Sequence, residues 1–469
     1  MPNPNSKLTD RGRKKIVVIG AGPVGCAEAL WMEKRGHHVD VYEMREDPRI
    51  SIDEKGSKSI NLTISHRGLS SLEKINMKDR VCRKAIPCYG RMIHDRDKTT
   101  RISLYGEKNE SILSVNREVL HTELVDAVDK CPNTRIFFNH KLVGTNFDKT
   151  EVTFQTPDPN RPADDKDNVT ITSTVKADVI LGCDGANSCM RKYMNRESYL
   201  RYKEESIDER YTELTMPATK HNKFAMKENY LHIWARDEFM LLALPNQDKS
   251  FTVTLFMPTN VFESLTDREA ATAFVNEHFA DAVSLIGEEQ IVDRLTSRGN
   301  AHSLMWVKCS RYNIDGKVLL LGDAAHAMVP FYGQGVNCGF EDLMVLDKLL
   351  DDHNEDFEKA MNAFSEKRTE DAAAMCDLSL ENYNELKRKV NTPWLSCRKR
   401  IDSILYRVFP SSWVPIYTMV AFSDIRYSDC VRKRKWQNKM IYGGVCAVVI
   451  AVSVITGLCS IAYTHGFTS

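Results

Sequence analysis

The sequence predicts an α/β protein in which a doubly wound, largely parallel-sheet domain is interrupted by a second sheet and followed by helices. Three observations predict it. Short β-branched runs recur at 14–19, 177–181 and 318–321, each leading into glycine and then a loop or helical pattern. Between about 202 and 306 the texture changes to aromatic, β-branched strands, at 230–235, 239–244 and 251–257. The first texture then returns at Val318, so the first domain is built from separated pieces.

The bulk numbers agree. A chain of 469 residues has room for two domains plus appendages, and 42% hydrophobic with 27% charged residues makes a folded body the default. Lys+Arg and Asp+Glu balance at 64 each, so net charge supports no nucleic-acid partner. The thirteen cysteines form neither a Cys-x-x-Cys nor a His/Cys metal pattern. They read as reduced, buried thiols of a cytosolic body, and no metal is expected. The run 16–27 behind Arg11, Arg13, Lys14 and Lys15 could pass for a signal sequence, but its Gly-x-Gly-x-x-Gly pattern and Glu28 make it strand, turn and helix. There are no internal repeats.

In chain order, 14–19 is a buried strand, 20–25 a turn, 26–34 a helix and 39–43 a second strand, a βαβ unit. A helix is expected at 117–128, a strand at 135–138, and a hairpin tip in the Pro- and Asp-rich stretch 156–168. Strand 177–181 precedes the inserted sheet. Strand 318–321 and helices 341–351 and 357–378 follow it. The divisions are thus 1–201, first part of the dinucleotide domain; 202–306, the inserted sheet; 307–352, the completing segment; and 353–431, a helical region.

Residues 440–463 contain no Asp, Glu, Lys or Arg. As a helix they would extend about 36 Å, against the ~30 Å of a bilayer's hydrocarbon core. Arg432, Lys433, Arg434, Lys435 and Lys439 precede them, and nothing fully charged follows. The expectation is a transmembrane tail anchor with the body on the cytosolic side, in the mitochondrial outer membrane or alternatively the endoplasmic reticulum.

Three motifs carry chemistry. Gly20-x-Gly22-x-x-Gly25, with Val24 inside it, joins the first strand to a helix, and Glu43 ends the next strand. Glycines let the backbone turn and approach a pyrophosphate, which helix N–H groups hold; Glu43 can accept from both ribose hydroxyls. This Rossmann-like unit does not separate FAD from NAD. The second motif, Gly322-Asp323-Ala324-Ala325-His326 followed by Pro330-x-x-Gly333-Gln334-Gly335-Val336-Asn337, does. Asp323 at a strand end can hold a ribityl hydroxyl. The loop entering a helix near Asn337 can aim N–H groups at the flavin N1–C2=O edge. NAD has no ribityl chain, so FAD is the expected cofactor. The third, Cys183-Asp184-Gly185-Ala186-Asn187-Ser188 ending in Arg191 and Lys192, is by itself only a turn.

In this order the three motifs resemble the group A flavoprotein monooxygenases, the para-hydroxybenzoate hydroxylase-like family. The resemblance implies that Asp184, Gly185 and Asn187 serve FAD and NADPH together, since no second full Gly-x-Gly-x-x-Gly unit is present. It places Arg117 near the flavin and adds Arg45, Thr63 and Leu142 to the cofactor contacts. Arg45-Glu46-Asp47, Ser59-Ile60-Asn61-Leu62, Ser65-His66-Arg67-Gly68, Arg91-Met92-Ile93-His94, Tyr230-Leu231-His232-Ile233-Trp234 and Pro415-x-Tyr417-Thr418-Met419-Val420 resemble the kynurenine 3-monooxygenase family, from about residue 14 to the apolar tail.

That resemblance implies hydroxylation of L-kynurenine to 3-hydroxykynurenine in tryptophan degradation, with FAD, NADPH and O2, through a flavin C4a-hydroperoxide. It makes 202–306 a substrate domain and carries substrate contacts to Arg91, Tyr105, Asn382 and Tyr417. A guanidinium fork suits the amino-acid carboxylate, tyrosine hydroxyls can donate to it, and Asn382 can serve the head group. No catalytic side chain is expected, because the chemistry is flavin-borne. His326 beside the loop invites a general-base role, but the family needs no base there. Trp234 and Phe331 read as packing or ring walls. The segment Pro87-Cys88-Tyr89-Gly90 lacks an arginine associated with mammalian relatives, which touches the pocket entrance. The alternatives are a hydroxylase of another aromatic, a membrane-tethered flavin dehydrogenase, and an FAD-binding scaffold; no protein partner is specified.

Overall fold

The computed structural model describes residues 12–50, 61–106, 110–158, 170–297, 301–385 and 393–466. Arg11, Ser59, Ile60 and most of the hairpin tip expected at 156–168 lie outside them.

The dinucleotide domain is a six-stranded sheet in the order Asn313–Ile314, Val318–Leu320, Val179–Gly182, Lys15–Ile19, His38–Tyr42, Thr134–Phe137. All pairs are parallel except the first. Such strands are covered on both faces, which is why they read as unbroken apolar runs; Ile16, Val17, Val18, Ile180 and Leu319 are fully buried. Helix Pro23–Arg35 packs on helix Gly335–Asp352. Trp31 Nε1 donates to Asp347 at 2.8 Å and Arg35 pairs with Asp347, Asp351 and Glu355. The hairpin Glu151–Pro157 with Thr170–Lys176 pairs antiparallel and is extended by Lys141–Asn146.

The second sheet has seven strands: His302–Cys309, Tyr202–Met216, Phe251–Pro258, Phe239–Pro245, Tyr230–Arg236, Gly90–His94, Thr100–Leu104. It departs from the expected all-strand stretch in two ways. Residues 259–296 are largely helical, as Thr259–Ser264, Arg268–Ile286 and Glu288–Thr296, and cover one face. The last two strands come from the first part of the chain. Gly90–His94 lies parallel to Tyr230–Arg236, with Arg91 opposite Leu231. Strand alternation then sorts the faces. Trp234 turns to the covering helices, where its Nε1 donates to Asp281 at 2.8 Å. Leu231, Ile233, Leu242 and Leu244 turn the other way, onto a cavity.

Helices Phe357–Asn384, Pro393–Val408, Ile416–Phe422 and Tyr427–Gly466 complete the chain. Tyr427 and Cys430, at the start of the last, are buried with Met375 and Met419. The apolar segment 440–463 forms its second half, with Ile450, Val452, Val454 and Ile455 exposed. Among the described residues no helix is long and apolar enough to cross a membrane.

Candidate active site

A cavity of about 300 Å³ lies between the two sheets. Of the residues expected to bind cofactor, Gly22, Val24, Thr63, Arg117, Gly185, Asp323, Gly335 and Val336 line it; of the substrate residues, Arg91, Tyr105 and Tyr417 do. One chain fold thus brings together side chains from all three motifs and both sheets.

The cofactor end is shaped by backbone. A Cβ on Gly25 would stand 1.9 Å from the Gly20 carbonyl oxygen, and one on Gly20 2.5 Å from that of Cys183. Only glycines permit this approach, which sets the first helix directly behind its strand. At Gly22 a Cβ would meet nothing within 4 Å. Helix Pro23–Arg35 has no side-chain cap, and neither does helix Gly335–Asp352, so their first-turn N–H groups remain available at the cavity. Other helices, such as His66–Lys74 and Glu288–Thr296, also lack such a cap, but Gly22, Pro23, Gly335 and Val336 put these two on the cavity. Uncapped helix N-termini beside open space fit the phosphates of a dinucleotide and the N1–C2=O edge of a flavin. Glu43 Oε2 accepts from the Ala21 N–H at 2.9 Å and Oε1 from that of Arg45 at 3.0 Å, which ties this carboxylate to the glycine turn.

Other expected contacts do not line the cavity. Asp184 accepts from Ser188 Oγ at 2.6 Å and Met190 N–H at 3.0 Å, so its carboxylate organises the Asp-Gly turn while Gly185 faces the cavity. Asn187 and Arg45 are exposed, and Leu142 is buried in the core against Phe154's strand. Asn337 is fully buried. Its Nδ2 donates to the carbonyls of Thr63 and Gly333 at 2.7 and 2.8 Å, and its Oδ1 accepts from the Ser65 N–H at 2.8 Å. It braces the glycine-rich loop against strand Asn61–Ile64. Asn382, expected at the substrate head group, instead donates to the Phe331 carbonyl at 2.7 Å and does not line the cavity. It holds the Pro330–Tyr332 turn from behind.

At the other end, Arg91 stands over the rings of Tyr417 and Tyr105, 5.0 and 5.7 Å from their centroids. Those rings stack on each other at 5.0 Å, and Tyr332 stacks on Tyr417 at 5.5 Å. Burial pushes the phenols of Tyr105 and Tyr417 up, so both stay protonated donors. Buried Nε of Arg91 and the buried hydroxyl of Tyr105 find no partner outside the group of Arg91, Tyr105 and Tyr417 itself, and no carboxylate among the described residues pairs with Arg91. A cation and a phenol orphaned together fit a carboxylate ligand.

His326 is no base for this cavity: it is buried, with Nε2 on Asp342 at 2.7 Å and Nδ1 3.8 Å from Cys338 Sγ. Donor atoms of His326, Cys338 and Asp342 come within 4.8 Å of one another. Arg368 already donates to Asp342 Oδ1 at 2.9 Å and to Cys338 Sγ at 3.1 Å, so a cation occupies that position.

A family model described as FAD binding domain matches residues 13–379. A kynurenine 3-monooxygenase of Anopheles gambiae is 42% identical over 96% of this chain and 90% of its own length. One of Sus scrofa is 41% identical over 92% and 89%. The chain belongs to the kynurenine 3-monooxygenase family. Among solved structures, p-nitrophenol 4-monooxygenase from Pseudomonas putida DLL-E4 superposes with a TM-score of 0.62 at 17% identity, covering 84% of this chain and 94% of that one. That likeness shows the shared fold. In this member of the family His121 and Asp342 serve the site without a signal in the sequence, while Arg191, which ends the third motif, gains a role that the motif did not state. Arg191 is buried and donates to the carbonyls of Ala324 and Ala186 at 2.9 and 2.6 Å, joining the Asp-Gly turn to the flavin turn. His121 meets the Ala21 carbonyl at 2.6 Å, and Asp342 accepts from the Gly322 N–H at 2.9 Å. The bonds of Arg191 to Ala324 and of His121 to Ala21 join segments a hundred or more residues apart, which no local pattern reveals.

Proposed function

We propose that the chain hydroxylates L-kynurenine at ring carbon 3, with FAD bound and NADPH and O2 consumed. The observation that carries this reading is the orphaned Arg91–Tyr105 pair at one end of a cavity whose other end offers two uncapped helix N-termini. Bound FAD supplies the electron storage and oxygen activation that side chains do not. Gly22 and the first turn of Pro23–Arg35 hold its pyrophosphate, Glu43 its adenosine ribose, Asp323 its ribityl chain, and Gly335 and Val336 its ring edge. Arg91 grips the substrate carboxylate, with Tyr105 and Tyr417 donating beside it. Leu231, Ile233 and Phe256 hold the aromatic ring flat and exclude water. The substrate's own amino group activates the ortho carbon, so positioning rather than a protein acid or base decides the outcome.

The test uses purified protein with NADPH and L-kynurenine, following NADPH loss and identifying the product by mass spectrometry. A product one oxygen atom heavier, hydroxylated beside the amino group, is expected. Stimulated NADPH loss giving only hydrogen peroxide would make kynurenine an effector. No stimulation and no conversion would remove kynurenine as substrate.

The reading includes a membrane anchor at 440–463 in the mitochondrial outer membrane, the catalytic body in the cytosol. Its support is the uncharged run, the five basic residues from Arg432 to Lys439, and the exposed apolar side chains from Ile450 to Ile455. Fractionation with protease protection of the full chain tests it. Recovery with reticular markers would redirect the anchor, and recovery in the soluble fraction would remove it.

A further inference from the structure

A buried charge cluster beneath the flavin loop takes no part in the binding described above. Asp342, on helix Gly335–Asp352, is fully buried. It accepts from the Gly322 N–H at 2.9 Å, from His326 at 2.7 Å and from Arg368 Nε at 2.9 Å. Arg368 also reaches Glu341 at 2.8 Å, and Glu341 pairs in turn with Arg67. Burial opposes a charge on His326, but Asp342 beside it, with Cys338 adding, outweighs that and holds the imidazole well above its ordinary range. Three cations, Arg67, Arg368 and His326, thus face two carboxylates, Asp342 and Glu341. Among these five side chains one positive charge is left over, in a setting where water screens it weakly; Asp323, at the cavity wall, belongs with the lining and not with the cluster.

That surplus adjoins the flavin end of the cavity. Asp323 and Met328, on either side of His326 in the chain, line the wall, and Gly335 opens the helix that carries Glu341 and Asp342. Hydride transfer from NADPH delivers two electrons and one proton, so the reduced flavin carries one more negative charge than the oxidised one. We propose that the cluster of His326, Asp342, Arg368, Glu341 and Arg67 tunes the electron affinity of bound FAD, its surplus cation favouring the reduced flavin. His326 is a tuning residue in this scheme, acting through charge without touching the substrate. The inference rests on the FAD reading above.

The test measures the FAD midpoint potential by spectroelectrochemistry on full-length holoprotein, comparing wild type with His326→Gln and Glu341→Gln. Removing the imidazolium should lower the potential, and removing a carboxylate should raise it. A tenfold change in preference for reduced over oxidised flavin corresponds to about 30 mV for this two-electron couple. Kynurenine affinity, read by titration of the same samples, should stay within a few-fold. A purely structural cluster would change stability or FAD content while leaving the potential of the loaded protein alone. Unchanged potentials, or shifts of the same sign in both variants, overturn the proposal. If His326→Gln fails to hold FAD, Glu341→Gln alone decides, and absence of an upward shift overturns it. A wild-type protein that takes up no FAD would instead remove the flavin reading itself.

Discussion

Arg91 is a guanidinium whose surroundings were built for something absent from the chain itself. Its neighbours are aromatic rings and neutral phenols, and its Nε has no partner. Replacing it with alanine should raise the KM for L-kynurenine by roughly a hundredfold, the loss of about 3 kcal/mol of charge-assisted bonding. FAD content, read from visible absorbance, should stay at the wild-type level; normal turnover in this variant would take Arg91 out of the substrate site. Glu28 makes a second residue-scale prediction. It is fully buried on helix Pro23–Arg35, and neither carboxylate oxygen has a partner. Burial, with Asp342 and Asp347 adding, pushes its carboxyl up to about 8 from 4.5. The unfolded chain therefore ionises first as pH rises, and stability is lost between about pH 4.5 and 8. Glu28→Met should raise the Tm, with a gain of roughly 3 kcal/mol at pH 7 that shrinks towards pH 5. An equal gain at both pH values would show that charge is not the cause.

At the scale of elements, the site depends on braces between segments that are distant in sequence. Asn337 holds three backbone groups from strand Asn61–Ile64, its following turn and the glycine-rich loop. Asn337→Ala would leave those buried groups unpaired at about 1–3 kcal/mol each, so FAD retention through gel filtration should fall sharply. Asn382→Ala acts more mildly, because a single bond to the Phe331 carbonyl is lost. A change in kcat with little change in FAD content is expected, and a large rise in the kynurenine KM alone would instead put Asn382 at the head group. The parallel strands and their helices were legible because a strand buried on both faces must be apolar throughout. The helices at 259–296 were less so, since their apolar residues sit close to strand-like runs. The two strands Gly90–His94 and Thr100–Leu104 could not be assigned to the second sheet in advance: a partner strand more than a hundred residues away leaves no local mark.

At the scale of the whole molecule, the last helix belongs to the catalytic body at its start and leaves it later. Tyr427 packs its ring 4.2 Å from the Arg67 guanidinium and lies in one buried cluster with Cys338 and Met419. Beyond Ile441 the described side chains are exposed. Ending the chain after Tyr442 should therefore release the protein from membranes with its flavin and turnover kept. Ending it before Tyr427 should cost FAD binding, because Arg67 and Arg368 would lose the ring between them. Flotation and flavin absorbance on the two truncations check both arms, and loss of flavin in the longer one would mean that the exposed segment also supports the site.

By itself the sequence determined the strand–glycine–helix units, the acids at strand ends and the flavin-type loop. These depend on steric limits that act within a few residues, and a position where a Cβ would stand 1.9 Å from a carbonyl oxygen must be glycine. Resemblance to the family, not any local pattern, marked Arg91, Tyr105 and Tyr417, which the fold brings to one wall. Only the tertiary structure decided that Asn337 and Asn382 spend their amides on backbone carbonyls, and that Asp342, Arg368 and His326 form one buried charge cluster. Hydrogen bonds and Coulomb interactions depend on distance in space, and contacts between residues tens to hundreds of positions apart exist only once the sheets and helices have packed.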